Sequence, residues 1–253
     1  MNDILNAPKI RNYFAALESN GAKVEGVEVL SAQSKRNGEL LFAYLKIDGT
    51  DCENNKLLPY VFIRGDAVVV VPIIHIKDRK NAPEYFVCVE QIRLSDGSRH
   101  LEFPAGMLDE NVDNPAMVAV SELAEETGLK IDETQLVLLN DGKPLFTSPG
   151  ACDEKIYYFK VDICLTEKEF AELNGKLLKN AEENENITIK ICTKDEFLAE
   201  TKSNLGVVAV SLLTKQEKPA KFGKPLVFNK QHIVVFSLMF ITDCINYYRE
   251  LYI

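Results

Sequence analysis

An α/β fold preceded by a helix and a β-hairpin is the class this sequence predicts. Three observations predict it: β-branched apolar runs of strand length, amphipathic stretches of helical period between them, and Asn, Gly and Pro at the places where such segments begin and end. Segment 8–18 puts Ile10, Tyr13, Phe14 and Leu17 on one helical face and stops at Asn20-Gly21. Segments 24–29 and 40–47 alternate as strands joined through the polar stretch 34–38. The run 67–76 suits a strand buried on both faces, and 85–92 is a second strand. Asp96-Gly97 turns the chain into a short strand over 100–103. Asn114 suits a helix N-cap, Pro115 the first helical position and Gly128 the stop. Segment 129–139 reads as extended, 155–163 as a strand and 166–173 as a helix. A strand over 187–192 and helices over 194–201 and 207–213 follow. The stretch 215–230 holds Lys215, Lys218, Lys221, Lys224, Lys230, Pro219 and Pro225 and reads as a linker or exposed arm. The apolar stretch 231–248 reads as a helix that packs on the core or on a second subunit. This divides the chain into an extension over 1–60, a main domain over 61–214, and a Lys-rich linker with a last helix over 215–253.

Composition narrows the function. Apolar residues make up 46% of the 253 positions, enough for a sizeable core, and the formal net charge is −9. A nucleic-acid-binding face needs clustered Lys and Arg to neutralise phosphates, so no nucleic-acid partner is expected. No apolar run approaches the roughly 20 residues that span a bilayer, so no membrane partner is expected either. Segment 1–16 has no long apolar stretch after a basic one, and no signal peptide is expected. The six cysteines form no CxxC pair, and Cys88, Cys164 and Cys192 sit in apolar runs and read as small buried hydrophobes. That usage fits a reducing compartment, and a cytoplasmic protein is expected.

The informative segment is 101–129. It holds seven acids (Glu102, Asp109, Glu110, Asp113, Glu122, Glu125 and Glu126) and no Lys or Arg. Glu122, Glu125 and Glu126 stand at i, i+3 and i+4, where like charges cost roughly 0.2–0.5 kcal/mol per pair. They also lie in the last turn before Gly128, where the helix dipole already presents negative charge. A bound divalent cation reverses both penalties, because hard cations take carboxylate oxygens. An acidic surface turn without function is the alternative. Ala116, Val120, Leu123 and Thr127 are expected to form the core-facing stripe beside these acids, with Phe103-Pro104-Ala105-Gly106 as a strand end and tight loop before them.

At these residues the sequence resembles the Nudix hydrolases. Gly106-Met107-Leu108-Asp109, followed by Ser121-Glu122-Leu123-Ala124-Glu125-Glu126-Thr127-Gly128-Leu129, is similar to the Nudix box G-x5-E-x7-R-E-U-x-E-E-x-G-U, where U is aliphatic. Outside the box, Gly65-Asp66-Ala67-Val68, Glu90-Gln91-Ile92-Arg93, Phe103-Pro104-Ala105-Gly106 and Ser148-Pro149-Gly150 resemble the ADP-ribose and ADP-sugar pyrophosphatase branch, and the likeness covers about 61–213. Two departures stand out. Ser121 occupies the place of the motif Arg, and the upstream Glu is missing at its usual spacing, with Asp113 the nearest acid. The interval from Gly106 to Glu122 is one residue longer than the commonest form.

The resemblance implies a Nudix α/β/α sandwich with a mixed sheet, beside the N-terminal helix and hairpin. It implies an enzyme that cuts an ADP-sugar, ADP-ribose or ADP-glucose, into AMP and a sugar phosphate. Glu122, Glu125, Glu126 and the Ala105 carbonyl would hold Mg²⁺ or Mn²⁺, with Glu125 a ligand or a group just behind the ligands. A Glu in the loop before a late strand would serve as base, here Glu183 first and Glu185 second, although a solvated acidic loop is the alternative. Arg93 would contact phosphate or form a surface ion pair; Asp153 and Glu154 would shape the sugar pocket, touch metal, or cap the loop. The implied partners are a small-molecule nucleotide sugar and a second copy of the chain in a homodimer. Another nucleotide sugar, a dinucleotide, or a catalytically weak nucleotide-sugar-binding module, suggested by Ser121, are the rival functions.

Overall fold

The computed structural model describes residues 2–77, 79, 83–108, 114–180 and 185–217. Two compact units are distinguished, Met1–Gln216 and Glu217–Ile253. The first carries the described fold. The expected arm beyond 217 and the apolar stretch 231–248 lie outside the described residues.

The chain opens with α1 (Asn2–Leu5) and α2 (Pro8–Ser19), followed by the strands β1 (Lys23–Ser34), β2 (Leu40–Thr50) and β3 (Tyr60–Ile63). The predicted face of α2 packs as expected: Ile10 is fully buried, with Tyr13, Phe14 and Leu17 against Ala43, Leu45, Ile47, Val61 and Ile63. The expected hairpin is a three-stranded antiparallel sheet, because β3 pairs with β2. β1 runs beyond the alternating segment because its register shifts between Val24 and Gly26 and again between Val29 and Ser31. Bulges of that kind break the two-residue period on which strand reading depends.

The main sheet contains β4 (Ala67–Ile76), β5 (Tyr85–Ile92), β6 (Arg99–Glu102), β7 (Ala105–Met107), then α3 (Pro115–Thr127), β8 (Val137–Leu138), β9 (Leu145–Phe146) and β10 (Lys155–Leu165). After α4 (Glu167–Leu173) come β11 (Leu177–Asn180), β12 (Glu185–Thr193), α5 (Lys194–Glu200) and α6 (Asn204–Glu217). The spine of the sheet is ordered β11-β12-β5-β4-β10-β8, with β6, β7 and β9 on its flanks. β10 runs parallel to β4 and the other pairs are antiparallel, so the sheet is mixed.

Both faces are covered, which makes the expected sandwich. Val69, Val71 and Ile73 of β4 point to one side, with Phe86, Ile156, Tyr158 and the residues Phe197, Ala209, Val210 and Leu213 of α5 and α6. Val68 and Val70 point to the other, against Ala119 and Leu123 of α3 and Phe159 and Val161 of β10. This two-sided burial explains the unbroken apolar run of β4. Phe103, the residue before the tight loop, stacks on Phe197 with ring centroids 4.3 Å apart, and Phe86 meets both rings edge-on. A Cβ on Gly206 of α6 would come within 2.6 Å of Phe197, so that glycine is what lets α6 close on the ring cluster.

Several local expectations change. Segment 129–139 is not extended throughout: a 3₁₀ turn spans Glu133–Gln135 before β8. The cause is a capping box in which the Asp132 carboxylate accepts from Thr134 N–H and the Gln135 side chain accepts from Asp132 N–H. The helix expected over 207–213 is the middle of the longer α6. Lys215 therefore lies in the last turn of a helix rather than at the start of an arm, and Gln216 donates to the carbonyls of Leu138 and Leu139.

Candidate active site

α3 positions the acids, and its ends form as expected. The Asn114 side chain accepts from Ala116 N–H at 3.0 Å, Pro115 occupies the first turn, and Gly128 closes the helix at φ 76°. The buried stripe is Ala119, Leu123 and Thr127, with Val120 only half-buried; the core face is rotated slightly from the expected one. That rotation carries Glu126 inward, to 6% exposure.

Three of the expected metal-site residues come together. Glu126 Oε2 accepts from Ala105 N–H at 3.0 Å, across the gap between α3 and the loop that leads into β7. The Glu122 carboxylate lies over Gly106, where a Cβ would come within 1.8 Å of Oε1. Both carboxylates therefore converge on the Ala105–Gly106 backbone. That backbone is held from behind: β7 pairs with β4 through Val69↔Ala105 and Val68↔Gly106, and Val70 N–H donates to Pro104 O at 2.9 Å. The sequence marks Gly106 as the first residue of the box; the clearance it provides for Glu122 emerges only when strand and helix are brought together.

Glu125 lies elsewhere. It is exposed, and the Ser121 hydroxyl donates to its Oε1 at 2.7 Å. Among the described residues, no three His, Cys, Asp or Glu side chains converge as a ready-made metal cluster. The two carboxylates at Ala105–Gly106 nevertheless fit a hard cation of the Mg²⁺ kind, which binds through one or two carboxylates and fills its shell with water and substrate phosphate oxygens.

The remaining expected residues take separate positions. Arg93 Nε donates to Glu102 Oε2 at 2.6 Å, the surface ion pair allowed for it. Asp153 accepts from the backbone N–H groups of Arg64 and Gly65 at 2.7 and 3.1 Å, and Glu154 pairs with Arg64 Nε at 3.1 Å. Asp153 therefore caps the turn that leads into β4, where Gly65 has φ 85°, and Glu154 holds the Arg64 side chain beside it. Asp153→Ala leaves two backbone donors without their acceptor and is expected to cost about 1–3 kcal/mol, read as a lowered midpoint in urea unfolding. Glu185 opens β12, its backbone opposite Asn180. Glu183 lies outside the described residues.

A cleft of about 850 Å³ opens between α2, the end of β2 and the loop that precedes β10. Sequence reading misses it because its walls come from positions as distant as Tyr13, Asp66 and Tyr157. In it, burial pushes the Asp66 carboxyl up against the opposing pull of Lys155, 3.4 Å away. Burial, with the Asp153 charge nearby, likewise raises the Tyr13 phenol.

Comparison with known proteins agrees with this geometry. Residues 65–234, well over half of the chain, match the NUDIX domain, and the chain belongs to the Nudix family. It is 29% identical over 226 residues to "Nudix hydrolase 14, chloroplastic" of Arabidopsis thaliana, covering 83% of this chain and 71% of that one. It is 36% identical over 86 residues to an ADP-ribose pyrophosphatase of Mycobacterium tuberculosis (strain ATCC 25618 / H37Rv), covering 34% of this chain and 37% of that one. A crystal structure of an ADP compounds hydrolase shares the fold at a TM-score of 0.55 and 18% identity, over 77% of this chain and 93% of that one. The expectation of an enzyme that hydrolyses pyrophosphate bonds holds with the family. Among the described residues, no helix is long and apolar enough to cross a membrane.

Proposed function

We propose that the protein uses a divalent metal ion, Mg²⁺ or Mn²⁺, to hydrolyse the pyrophosphate bond of an ADP-sugar, ADP-ribose or ADP-glucose, into AMP and a sugar phosphate. The observation that carries this is the convergence of Glu122 and Glu126 on the Ala105–Gly106 backbone. The relatives named for ADP-ribose and ADP compounds favour the substrate.

Glu122, Glu126 and the Ala105 carbonyl would hold the metal, with Glu125 as a further ligand once it leaves Ser121. When bound, the ion supplies charge neutralisation at the diphosphate and a more acidic water. Glu126, anchored through one oxygen on Ala105 N–H, keeps a fixed orientation while substrate binds. Glu183, or Glu185 at the start of β12, would take the proton of the attacking water as the P–O bond to the leaving phosphate breaks. To do so it must come within about 2.6–3.2 Å of that water. Arg93 would exchange Glu102 for a phosphate oxygen, which its planar fork suits. Asp153, as the cap of the Arg64–Gly65 turn, and Glu154, paired with the Arg64 guanidinium, would hold the sugar end of the site in shape.

The domain limits 1–60, 61–214 and 215–253 stay part of this reading. So does a homodimer, and here the outer face of the N-terminal sheet is the support. Phe42 and Phe62 lie 5.3 Å apart and Tyr44 and Tyr60 stack at 6.0 Å, on the face opposite the buried Ala43, Leu45, Val61 and Ile63. Tyr44 and Tyr60 are 40% and 48% exposed, an aromatic patch of the kind that marks interfaces. Light scattering that returns a monomer mass overturns that part. The cytoplasm is the proposed compartment, which suits the thiols of Cys88 and Cys192, buried 3.7 Å apart and unbridged; recovery of the protein outside the cytosolic fraction of its cell overturns it.

A panel of nucleotide sugars with Mg²⁺ or Mn²⁺, scored by the monophosphate released, tests the reaction. AMP from ADP-ribose or ADP-glucose is expected. Cleavage of capped RNA or a dinucleoside polyphosphate, with the ADP-sugars untouched, overturns the substrate. A second reading rests on Ser121, which stands where the motif carries Arg and holds Glu125 aside. Tight ADP-ribose binding in calorimetry without AMP release would make the protein a nucleotide-sugar-binding module.

A further inference from the structure

We infer that Cys88 and Cys192 are a peroxide-responsive pair, joined on oxidation by a reversible disulfide that slows turnover. The effect on turnover rests on the reading of Ala105, Glu122 and Glu126 as the metal site; the bridge itself is independent of it. The pairing of β5 with β12 sets Cys88 opposite Lys190 and Cys192 opposite Phe86, so the two cysteines are diagonal neighbours on one face of the sheet. Their sulfurs lie 3.7 Å apart, buried in the apolar cluster to which Phe197 of α5 belongs. Cys52 and Cys164, by contrast, are exposed.

Buried thiols as a rule are inert. Here the surroundings give the two sulfurs different roles. The hydrogen bond from the Cys88 thiol draws Cys192 below the ordinary range of a thiol, against the opposing effect of its burial; Lys190 adds to the lowering, while Glu196 and Glu200 resist it. Burial pushes the Cys88 thiol well up. Cys192 is therefore the sulfur that ionises, and Cys88 the one that keeps its proton. The Cys192 thiolate attacks hydrogen peroxide; the O–O bond breaks, the sulfur becomes a sulfenic acid, and hydroxide leaves to take up the proton that Cys192 released. The Cys88 sulfur then attacks Sγ of Cys192, the S–O bond breaks, and the hydroxide departs with the Cys88 proton as a second water. Two thiols are oxidised and one peroxide is reduced to two waters. α5 spans only Lys194–Glu200, so local opening of one short helix admits so small an oxidant.

Closure of the bridge has to move the backbone. Diagonal positions on adjacent strands lie roughly 7–8 Å apart, whereas a disulfide usually joins residues whose Cα atoms are about 4.4–6.8 Å apart. β5 and β12 must therefore draw together, and a bond under that strain is readily reduced again. The movement reaches the metal site through aromatic rings. Phe86, opposite Cys192, meets Phe103 at 5.3 Å and Phe197 at 6.1 Å, and Phe103 stacks on Phe197. Pro104 and Ala105 follow Phe103 directly, and Ala105 N–H is the donor that fixes Glu126. A misplacement of about 1 Å in a catalytic group lowers a rate by up to about 100-fold.

The full chain, reduced beforehand, would be treated with hydrogen peroxide, alkylated and mapped by mass spectrometry. A linked Cys88–Cys192 peptide is expected, about 2 Da lighter than its two reduced halves together and separated again by dithiothreitol. AMP release from ADP-ribose is expected to fall at least about tenfold as the bridge forms and to return on reduction. Cys88→Ala and Cys192→Ala keep an apolar side chain in the cluster and form no bridge, so peroxide should leave their turnover unmoved. Peroxide that leaves both cysteines free, or joins either to another cysteine, overturns the inference. So does a bridge that leaves turnover unchanged, or an equal loss of turnover in the two variants. If the reduced protein cuts no ADP-sugar, the hydrolase reading fails, and a bridge that shifts the thermal midpoint of the wild type alone sustains the pair. If the reduced protein cuts ADP-ribose but no bridge forms, the pair fails and the hydrolase reading stands.

Discussion

Glu126→Gln is expected to lower AMP release from ADP-ribose and ADP-glucose by at least about 100-fold, because a misplaced metal forfeits several kcal/mol of transition-state stabilisation. The substitution isolates charge from shape. Gln has the same size, and its amide oxygen can still accept from Ala105 N–H, the bond that ties α3 to the loop. The fold therefore has little reason to weaken. A buried carboxylate that becomes neutral removes a desolvation cost as well. The expected signature is thus a collapse of kcat with a melting temperature equal to or slightly above that of the wild type. Steady-state rates at saturating Mg²⁺, set beside a thermal melt, provide the check. Equal rates in the two proteins refute the role assigned to Glu126.

Gly106→Ala reaches the neighbouring carboxylate through geometry instead of charge. A Cβ at position 106 would lie 1.8 Å from Glu122 Oε1, 2.0 Å from Cδ and 2.5 Å from Cγ. All three atoms belong to one flexible side chain, so the clash is relieved when Glu122 swings to another rotamer. Gly106 is not among the glycines with positive φ, and Ala can adopt its backbone conformation. Stability should therefore stay within about 1 kcal/mol, since no core volume is lost and no cap is broken. Activity should fall by about 100-fold, because Glu122 has left the loop on which the metal site is built. Gly26→Ala serves as the control: its Cβ would meet only Asp48 Cβ at 3.8 Å, an ordinary contact. If Gly106→Ala retains wild-type turnover, Glu122 has no function in the position where the structure shows it.

The parts of the fold that could be read in advance were those governed by local rules. Asn114, Pro115 and Gly128 mark the ends of α3 because capping is settled within a few residues. The unbroken apolar run of β4 signals burial on both faces without knowledge of its partners. What escaped reading depends on distant pairs. β3 joins the N-terminal sheet only through Lys46, Leu45, Tyr44 and Ala43 of β2, and nothing within its four residues announces them. Asp153 caps a turn 89 and 88 positions away, so its own neighbourhood left three roles open. The acids of α3 lie between these extremes. Their i, i+3, i+4 spacing was visible, but which of them faces the loop depended on a small rotation of the helix. That rotation turned Glu126 inward and left Glu125 to Ser121.

The parallel pairing of β4 with β10 also has a bearing on how the chain is made. β4 meets β7 and β5 over short stretches, Ala67 to Val69 and Ile73 to Ile74, whereas β10 seals its other margin along the whole length from Ala67 to Ile76. During synthesis that margin, ten residues almost wholly apolar, waits for a partner that emerges much later. Long-range pairings of this kind form slowly, and an unpaired apolar strand is a template for association with other chains. A chain that stops before residue 155 is expected to leave that margin unpaired and to aggregate more readily than the full chain.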